Sequence, residues 1–382
     1  MRRRGGLRIG RILGIPIYLH PSWFIIFVLI TLSLSTVFAA EHPHWTAQQH
    51  WSLGLLTSLL FFASVLFHEL SHSVVAIHYR IPVNSITLFV FGGVAQIGRE
   101  PESARQEFNI AIAGPAASFL LAGVFFELTR LFPYSEMLGA LAAWLWKTNA
   151  ALALFNLIPG FPLDGGRIFR AAVWGVSKDF TRATRLAGAS GKIVAYGMIL
   201  FGAWYAAMKG EWVSGLWLAF IGWFLLTAAQ ESVAQITVRE ALAGLRAADV
   251  MSREVPTVPR NLSLQEYSSD VLRTGRRCHL VVGDERFLGM MNVQALNSVP
   301  REDWPVTSVQ AVMIPREKIL WAMPQEPLLA LLERLVAADV NQMPVVGGAD
   351  GSSEGAHIVG MVTRDSILRV IQNYGEVRHL AK

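Results

Sequence analysis

The sequence predicts a multi-domain protein: a bundle of six transmembrane α-helices with short membrane-associated β segments, followed by a soluble pair of α/β domains. Three observations predict this fold class. The chain has 382 residues, of which 53% are hydrophobic, and the apolar ones are concentrated before about residue 232. Twelve tryptophans fit a membrane protein with interfacial aromatic anchors. From about residue 233 the chain turns to short strands and amphipathic helices, with an internal repeat of about 60 residues.

Six apolar segments predict membrane-spanning helices, several of them reaching the roughly 20 residues that cross a bilayer: 22–40, 53–79, 108–128, 138–158, 187–208 and 212–230. Lys147 in the fourth segment is expected to face the bundle or a cavity. Arginine and lysine gather at the N-terminus and in the loops after the second and fourth segments. The positive-inside rule therefore predicts a multi-pass protein of the cell membrane with cytoplasmic N- and C-termini.

The segment 81–106 is apolar and β-prone but is interrupted by Pro82, Gly92 and Gly93, so it makes a poor spanning helix. Non-helical backbone at membrane depth must be buried in protein or line a cavity. The segment is predicted to form a hairpin or re-entrant strand against the helices. The start of the chain, ILGIPIYLHPSW, has similar β character and is a candidate partner.

Composition excludes several classes of function. The single cysteine, Cys278, excludes an internal disulfide and a cysteine-rich zinc site. The net charge of +5 is modest, and the basic residues cluster at the ends of apolar runs. This placement indicates membrane topology, with lipid as the partner, and no nucleic-acid partner is predicted.

The pentapeptide His68-Glu69-Leu70-Ser71-His72 lies at the end of the second apolar segment, about 22 Å along the predicted helix. Residues four apart on a helix project from one face, so both imidazoles can meet one ion, and Glu69 can take a proton from an activated water. The motif alone often arises by chance. Insertion scales, however, give a cost of about 2.5–3.5 kcal/mol for an acid at the centre of a membrane helix, which favours a metal site.

A catalytic zinc usually has three protein ligands, and the candidate for the third is Asp164 in NLIPGFPLDGGR. The prolines and glycines of this stretch are expected to break the helix and to bring the carboxylate inward. An alternative of equal weight is a turn whose aspartate caps the next helix.

Together these residues resemble the site-2 protease family of intramembrane metalloproteases. HELSH matches its H-E-x-x-H motif, and Asn156 to Gly166 matches N-x-x-P-x-x-x-L-D-G-G; the resemblance covers residues 1–232. It implies one Zn²⁺ per chain held by His68, His72 and Asp164, with Glu69 as the general base and transmembrane segments of other proteins as substrates. It also implies a role for Asn156 in positioning substrate or stabilising an oxyanion. The alternative is that the Asn156 side chain only forms hydrogen bonds with nearby backbone groups.

The repeated tail resembles two CBS (cystathionine-β-synthase) domains, at 248–300 and 308–373, after a linker at 233–247. Such pairs commonly bind adenine nucleotides, here ATP, ADP or AMP. The pattern Gly360-Met361-Val362-Thr363-Arg364-Asp365 implies that Thr363 and Asp365 contact the ribose, although the same residues suit a plain helix cap. The corresponding turn of the first unit has neither the threonine nor the aspartate, so at most one nucleotide site is expected, and the tail can also serve to form a homodimer.

The predicted function is that of a zinc-dependent intramembrane endopeptidase whose cytoplasmic tail regulates it through nucleotides or dimerisation. One alternative is a membrane transporter or channel gated by the CBS tail, which leaves both motifs of the apolar part unexplained. Another is a catalytically inactive scaffold. The presence of all three metal ligands and of the general base argues against it. The sequence does not select a substrate.

Overall fold

The computed structural model describes residues 6–132, 134–283, 286–347 and 357–380. It forms two compact units, Met1–Ala234 and Gln235–Lys382, and the division falls within a long helix. Helices and strands of the first unit follow the order β1 (Leu7–Ile12), β2 (Ile15–Leu19), α1 (Pro21–Glu41), α2 (Ala47–His78), β3 (Val83–Phe89), β4 (Gly92–Ile97), α3 (Ala104–Leu131), α4 (Glu136–Asn156), α5 (Asp164–Ser177), α6 (Phe180–Lys209) and α7 (Trp212–Leu242).

Six of these helices, all except α5, are long and apolar enough to cross a membrane, as the sequence predicts. Helix α2 contacts α1, α3, α4 and the hairpin strands. In the most apolar 18-residue stretch of α2, 44% of the residues are buried, against 22–39% in the corresponding stretches of the other five spanning helices. The helix that carries the H-E-x-x-H motif is therefore the one best shielded from lipid.

Helix α2 begins at Ala47, six residues before the predicted start. Thr46 and Gln49 form a capping box in which each side chain accepts from the other's backbone N–H, and this box nucleates the helix over its polar first turn. His68 consequently lies 21 residues past the first helical residue, about 32 Å along the axis. The predicted 22 Å was too short because the apolar run was taken as the whole helix.

The short helix α5 lies between two spanning helices where the sequence predicts only a broken turn. Helix α4 ends at Asn156, and α5 begins at Asp164, so Gly165 and Gly166 belong to its first turn and not to the break. The N-cap is Leu163, and no side chain caps the helix. Asp164 is therefore not the capping residue that the alternative interpretation requires.

The membrane unit contains a four-stranded sheet in the order β1-β2-β3-β4. β3 and β4 form the predicted antiparallel hairpin, and β2 pairs with β3 in parallel, which confirms the pairing expected for the start of the chain. The two central strands bury their apolar side chains, including Ile17, Ile86 and Leu88. β4 lies at the edge of the sheet and contacts α2.

The second unit contains the α/β repeat in the order α8 (Ala247–Val250), β5 (Thr257–Pro259), α9 (Leu264–Thr274), β6 (Cys278–Gly283), β7 (Arg286–Asn292), α10 (Val309–Val312), β8 (Ile314–Pro315), α11 (Leu328–Ala337), β9 (Gln342–Gly347), β10 (His357–Thr363) and α12 (Arg364–Leu380). Strands β5 to β8 form one sheet, and β9 and β10 form another. Each repeat has its own apolar core.

The two repeats differ in their last helix. α12 follows β10 directly, whereas the corresponding Val293–Ser298 is a 3₁₀ helix and not the predicted α-helix. Pro300 follows two residues later, which leaves little room for a longer helix. Cys278 is buried in this unit, and burial raises the pKa of its thiol to about 12, so it remains protonated and unreactive.

Candidate metal centre and active site

Helices α2 and α5 bring three predicted ligands together. Asp164 Oδ2 lies 3.1 Å from the Nε2 atom of His68 and 3.1 Å from that of His72, and the two Nε2 atoms are 3.2 Å apart. Both histidines are 4% exposed, and the Asp164 side chain is 13% exposed. These atoms form one of two groups among the described residues that could hold a metal ion.

The donor set fits zinc. Nitrogen and oxygen ligands at tetrahedral angles around Zn²⁺ lie about 3.3–3.6 Å from one another, close to the separations observed here. Two imidazoles and one carboxylate form a common three-ligand set of catalytic zinc sites, which leaves one coordination position for reactants. An arrangement in which three lone-pair donors converge in a buried place is unfavourable without a cation between them.

Helix α3 provides a hydrogen-bond partner for the Nδ1 atom of each histidine. His72 Nδ1 lies 2.6 Å from the Ile110 carbonyl oxygen, which can only accept, so this nitrogen donates. His68 Nδ1 lies 2.9 Å from Ser118 Oγ. With Nδ1 protonated, His72 presents the lone pair of Nε2 to the cluster, the state that binds a metal. The Ser118 hydroxyl can donate or accept, and it holds the His68 ring in either tautomer. Neither partner was predicted, because only the fold brings α3 alongside α2.

Gly114 allows α3 to approach the histidines. A Cβ atom at this position would lie 2.6 Å from His68 Nε2 and would overlap His72 Nε2. No larger residue fits without displacing the imidazoles or the helix. The only sequence signal for this position is Gly114-Pro115 within an apolar run, which by itself does not predict a close approach to the histidines.

Glu69 lies beside the cluster but is not one of its ligands. Its Oε2 accepts a hydrogen bond from the backbone N–H of Ala95 on β4, at 3.2 Å. A Cβ on Gly93 would come within 2.5 Å of Glu69 Cγ, so glycine permits the strand to pack against the acid. The hairpin thus holds the carboxylate of the predicted general base at the edge of the sheet.

A buried ion pair joins α5 to α3. Glu107, fully buried in the first turn of α3, accepts from Arg170 Nε at 2.7 Å and also from Arg170 Nη2. The guanidinium lies over the rings of Phe161 and Phe180, at 5.0 and 4.7 Å from their centroids. This pair orients the helix whose first residue is Asp164. This pair was not predicted, because its two residues are 63 positions apart in the sequence.

Asn156 is the last residue of α4, outside the ligand cluster. Its side-chain amide donates to the Leu152 carbonyl oxygen at 3.0 Å, which is the local backbone role of the alternative interpretation. The amide has a second N–H, so a role toward substrate stays a prediction.

Thr363 and Asp365 lie where β10 passes into α12. Thr363 Oγ1 accepts from the Ser366 backbone N–H at 3.0 Å, which is a helix cap, and Asp365 is exposed. Both line a cavity of about 430 Å³, together with Asn292 and Gln294 of the corresponding turn in the first repeat. Nucleotide binding there stays a prediction.

Comparison with known proteins identifies the family. The model of peptidase family M50 matches residues 56–134 and 133–200. The chain is 35% identical over 376 residues to "Putative zinc metalloprotease Rip3" of Mycobacterium tuberculosis, covering 97% of this chain and 94% of that protein. The chain belongs to peptidase family M50, the site-2 protease family. This membership confirms the predicted resemblance.

Two further proteins are similar to this chain. The chain is 34% identical over 372 residues to "Putative zinc metalloprotease sll0528" of Synechocystis, covering 96% of this chain and 95% of that protein. The solved "Site-2 Protease from Methanocaldococcus jannaschii" is 30% identical, covers 60% of this chain and 95% of that chain, and superposes with a TM-score of 0.41. The CBS domain model matches residues 309–373. The protein is therefore a member of the M50 family with six helices long and apolar enough to cross a membrane and a CBS domain at residues 309–373.

Proposed function

We propose that the protein is a zinc-dependent intramembrane endopeptidase that hydrolyses peptide bonds within or near transmembrane segments of other proteins. The observation that carries the proposal is the convergence of His68, His72 and Asp164 beside Glu69 within the helical bundle, with donor atoms 3.1–3.2 Å apart. Family membership supports the same chemistry, because the relatives named above are described as zinc metalloproteases.

The roles of the residues follow from their chemistry. His68, His72 and Asp164 would hold one Zn²⁺, which supplies a Lewis acid that polarises a carbonyl and lowers the pKa of a water. Glu69 accepts the proton of the attacking water and delivers it to the nitrogen of the leaving amine. Asn156 is proposed to position the substrate or to donate to the developing oxyanion through its second amide hydrogen.

The substrate must unwind, because a peptide bond within a helix is shielded and hydrogen-bonded. We propose that the unwound segment adds as a strand to the outer edge of β4. The hydrogen bond from the Ala95 N–H to Glu69 supports this route, since it puts the general base at the edge where an added strand would run.

Proline substitutions at the two edges of this sheet test strand addition. Val94→Pro on β4 should impair cleavage while the zinc content stays unchanged, because proline disrupts the edge strand and the side chain of Val94 is already 47% exposed. Arg11→Pro on β1, the opposite edge, is the matched control. Equal cleavage by the two variants contradicts strand addition but leaves the peptidase proposal intact.

Glu69→Gln tests the peptidase proposal itself. Cleavage of a transmembrane substrate in proteoliposomes should fall about 100- to 10,000-fold, because a positioned general base contributes that much. Zinc content per chain, measured by mass spectrometry, should equal that of the wild type. Glu127→Gln, an exposed acid paired with Arg130 on α3, is the charge-matched control. Cleavage that survives Glu69→Gln would overturn the role of Glu69 as the general base, and a wild-type chain that cleaves nothing would overturn the peptidase proposal and favour a transporter.

We further propose that residues 1–232 form the peptidase domain and that a linker at 233–247 leads to CBS domains at 248–300 and 308–373, with both termini cytoplasmic.

The CBS pair would regulate cleavage by binding an adenine nucleotide in the 430 Å³ cavity beside Thr363 and Asp365, or by forming a homodimer. Titration of the purified chain with ATP, ADP and AMP tests the first route, with Asp365→Asn expected to weaken binding. Binding of none of them would leave dimerisation, which sedimentation measures.

A further inference from the structure

A second cluster of two histidines and one carboxylate lies at the other end of α2. His42 and His44 belong to the connection between α1 and α2, and Glu136 is the first residue of α4. Each offers one ligand atom, and these atoms lie within 4.8 Å of one another. The closest pair is His44 Nε2 and Glu136 Oε2, at 2.6 Å.

A buried tryptophan holds two of these side chains in place. Trp45 is 9% exposed and packs in the core formed by α1, α2 and α4. Its indole N–H donates to Glu136 Oε2 at 3.2 Å, and the His42 ring stacks on it with centroids 4.0 Å apart and planes 4° apart. The ring of His50, on α2, contacts the His42 carbonyl oxygen through Nε2 at 3.0 Å. The arrangement is thus built by the fold and is not three flexible surface side chains.

The cluster is separate from the active site. His50 and His68 are 18 residues apart on α2, about 27 Å along its axis. His44 and Glu136 are each 61% exposed at the side chain, so water has free access to an ion held there. His42 and Glu136 also line a cavity of about 310 Å³ with Glu41 and Lys147, which provides room for water ligands.

We propose that His42, His44 and Glu136 form a second metal site that takes a divalent transition-metal ion of the zinc class. Imidazole nitrogens favour Zn²⁺, Co²⁺ or Ni²⁺ over Mg²⁺ and Ca²⁺, which prefer oxygen ligands. The ion replaces the proton shared by His44 and Glu136, and water completes its coordination. It joins the connection between α1 and α2 to the start of α4, and its exposure makes it exchange with solvent more readily than the buried ion.

Metal counting on the full-length chain in nanodiscs tests this site. Metal-free protein is dialysed against increasing Zn²⁺, and bound zinc is measured by mass spectrometry. Wild type should reach two per chain, whereas Glu136→Gln and His44→Asn should reach one and retain cleavage. Trp45→Phe keeps an aromatic ring for His42 to stack on but removes the N–H that donates to Glu136. It should weaken the binding of the second zinc ion about 10-fold. Mg²⁺ should not compete.

Glu127→Gln is the matched control, because it removes an acid at the same end of the bundle but outside the cluster, and it should reach two per chain. The proposal is overturned if wild type saturates at one, or if Glu136→Gln and His44→Asn still bind two. A variant with one zinc and full cleavage has kept the active-site ion, which separates this result from a failure of the peptidase proposal.

Discussion

The two histidine–carboxylate clusters of the membrane unit lie at opposite ends of α2 and differ mainly in burial. His68 and His72 are 4% exposed, whereas the side chains of His44 and Glu136 are 61% exposed. In the buried cluster both imidazoles form hydrogen bonds through Nδ1 with groups on α3, and the Ile110 carbonyl oxygen fixes the tautomer of His72. In the exposed cluster the Trp45 indole N–H donates to Glu136, and the His42 ring stacks on the indole.

This difference shows what burial demands of polar residues. A carboxylate and two imidazoles removed from water are unfavourable unless a cation or fixed hydrogen bonds compensate them, so the buried cluster depends on its ion and on α3. The exposed cluster remains hydrated, and its His44–Glu136 contact is a surface ion pair of small energy without any metal. We therefore expect an essential ion at one end of α2 and an exchangeable ion at the other.

The largest effect is expected at the third ligand. Asp164→Asn should remove the buried ion and lower cleavage about 1,000-fold or more, since a metal stabilises the transition state by several kcal/mol. Zinc content and cleavage are measured on the same preparation. Asp179→Asn, the N-cap of α6, is the control, because asparagine caps as well as aspartate. Retention of both zinc and activity in Asp164→Asn would show that the third ligand lies elsewhere.

The close approach of α3 gives the next largest effect. Gly114→Ala should lower cleavage about 100-fold, because its Cβ would displace the imidazoles by several tenths of an ångström or more. Gly123→Ala lies on the same helix with nothing within 4 Å of the new Cβ, and it should behave as wild type. Equal cleavage by both alanine variants would contradict the packing described at the centre.

The hydrogen bond to His68 should have a smaller effect. Ser118→Ala should weaken zinc binding about 10- to 100-fold, the usual consequence of removing a partner of a metal-bound imidazole. Competition with a zinc chelator measures it. Ser71→Ala removes a hydroxyl within HELSH that bonds only to its own helix, and it should change little. If Ser71→Ala weakens zinc binding as much as Ser118→Ala does, the hydrogen bond from α3 does not orient His68.

The smallest effect on cleavage is expected from mild chelation. A chelator of intermediate strength should remove one zinc from the exposed cluster while cleavage stays unchanged, and a stronger one should then remove the second zinc together with activity. Zinc content and cleavage are followed at each chelator concentration. Loss of activity with the first equivalent would mean that the two clusters do not differ in affinity as their burial indicates.

The sequence predicted much of the fold because its strongest signals are local. Membrane spans, the hairpin at 81–106 and the repeat of the tail all follow from apolar length, β propensity and periodicity. The predictions failed where a local signal of another kind was overlooked, as with the capping box of Thr46 and Gln49 that starts α2 early. The amphipathic helix α5 was not predicted, because it is too short and too polar to be recognised as a long apolar run.

By itself the sequence determined which residues are the candidates for the chemistry, since the spacing of HELSH on a helix and the L-D-G-G motif do not depend on the rest of the fold. Only the tertiary structure decided that Ile110 and Ser118 orient the histidines, that Gly114 leaves them room, and that Glu107 fixes α5 through Arg170. These partners are 38 to 63 residues apart in the chain. Such contacts arise from packing between helices, and no local sequence pattern predicts which helix will pack against which.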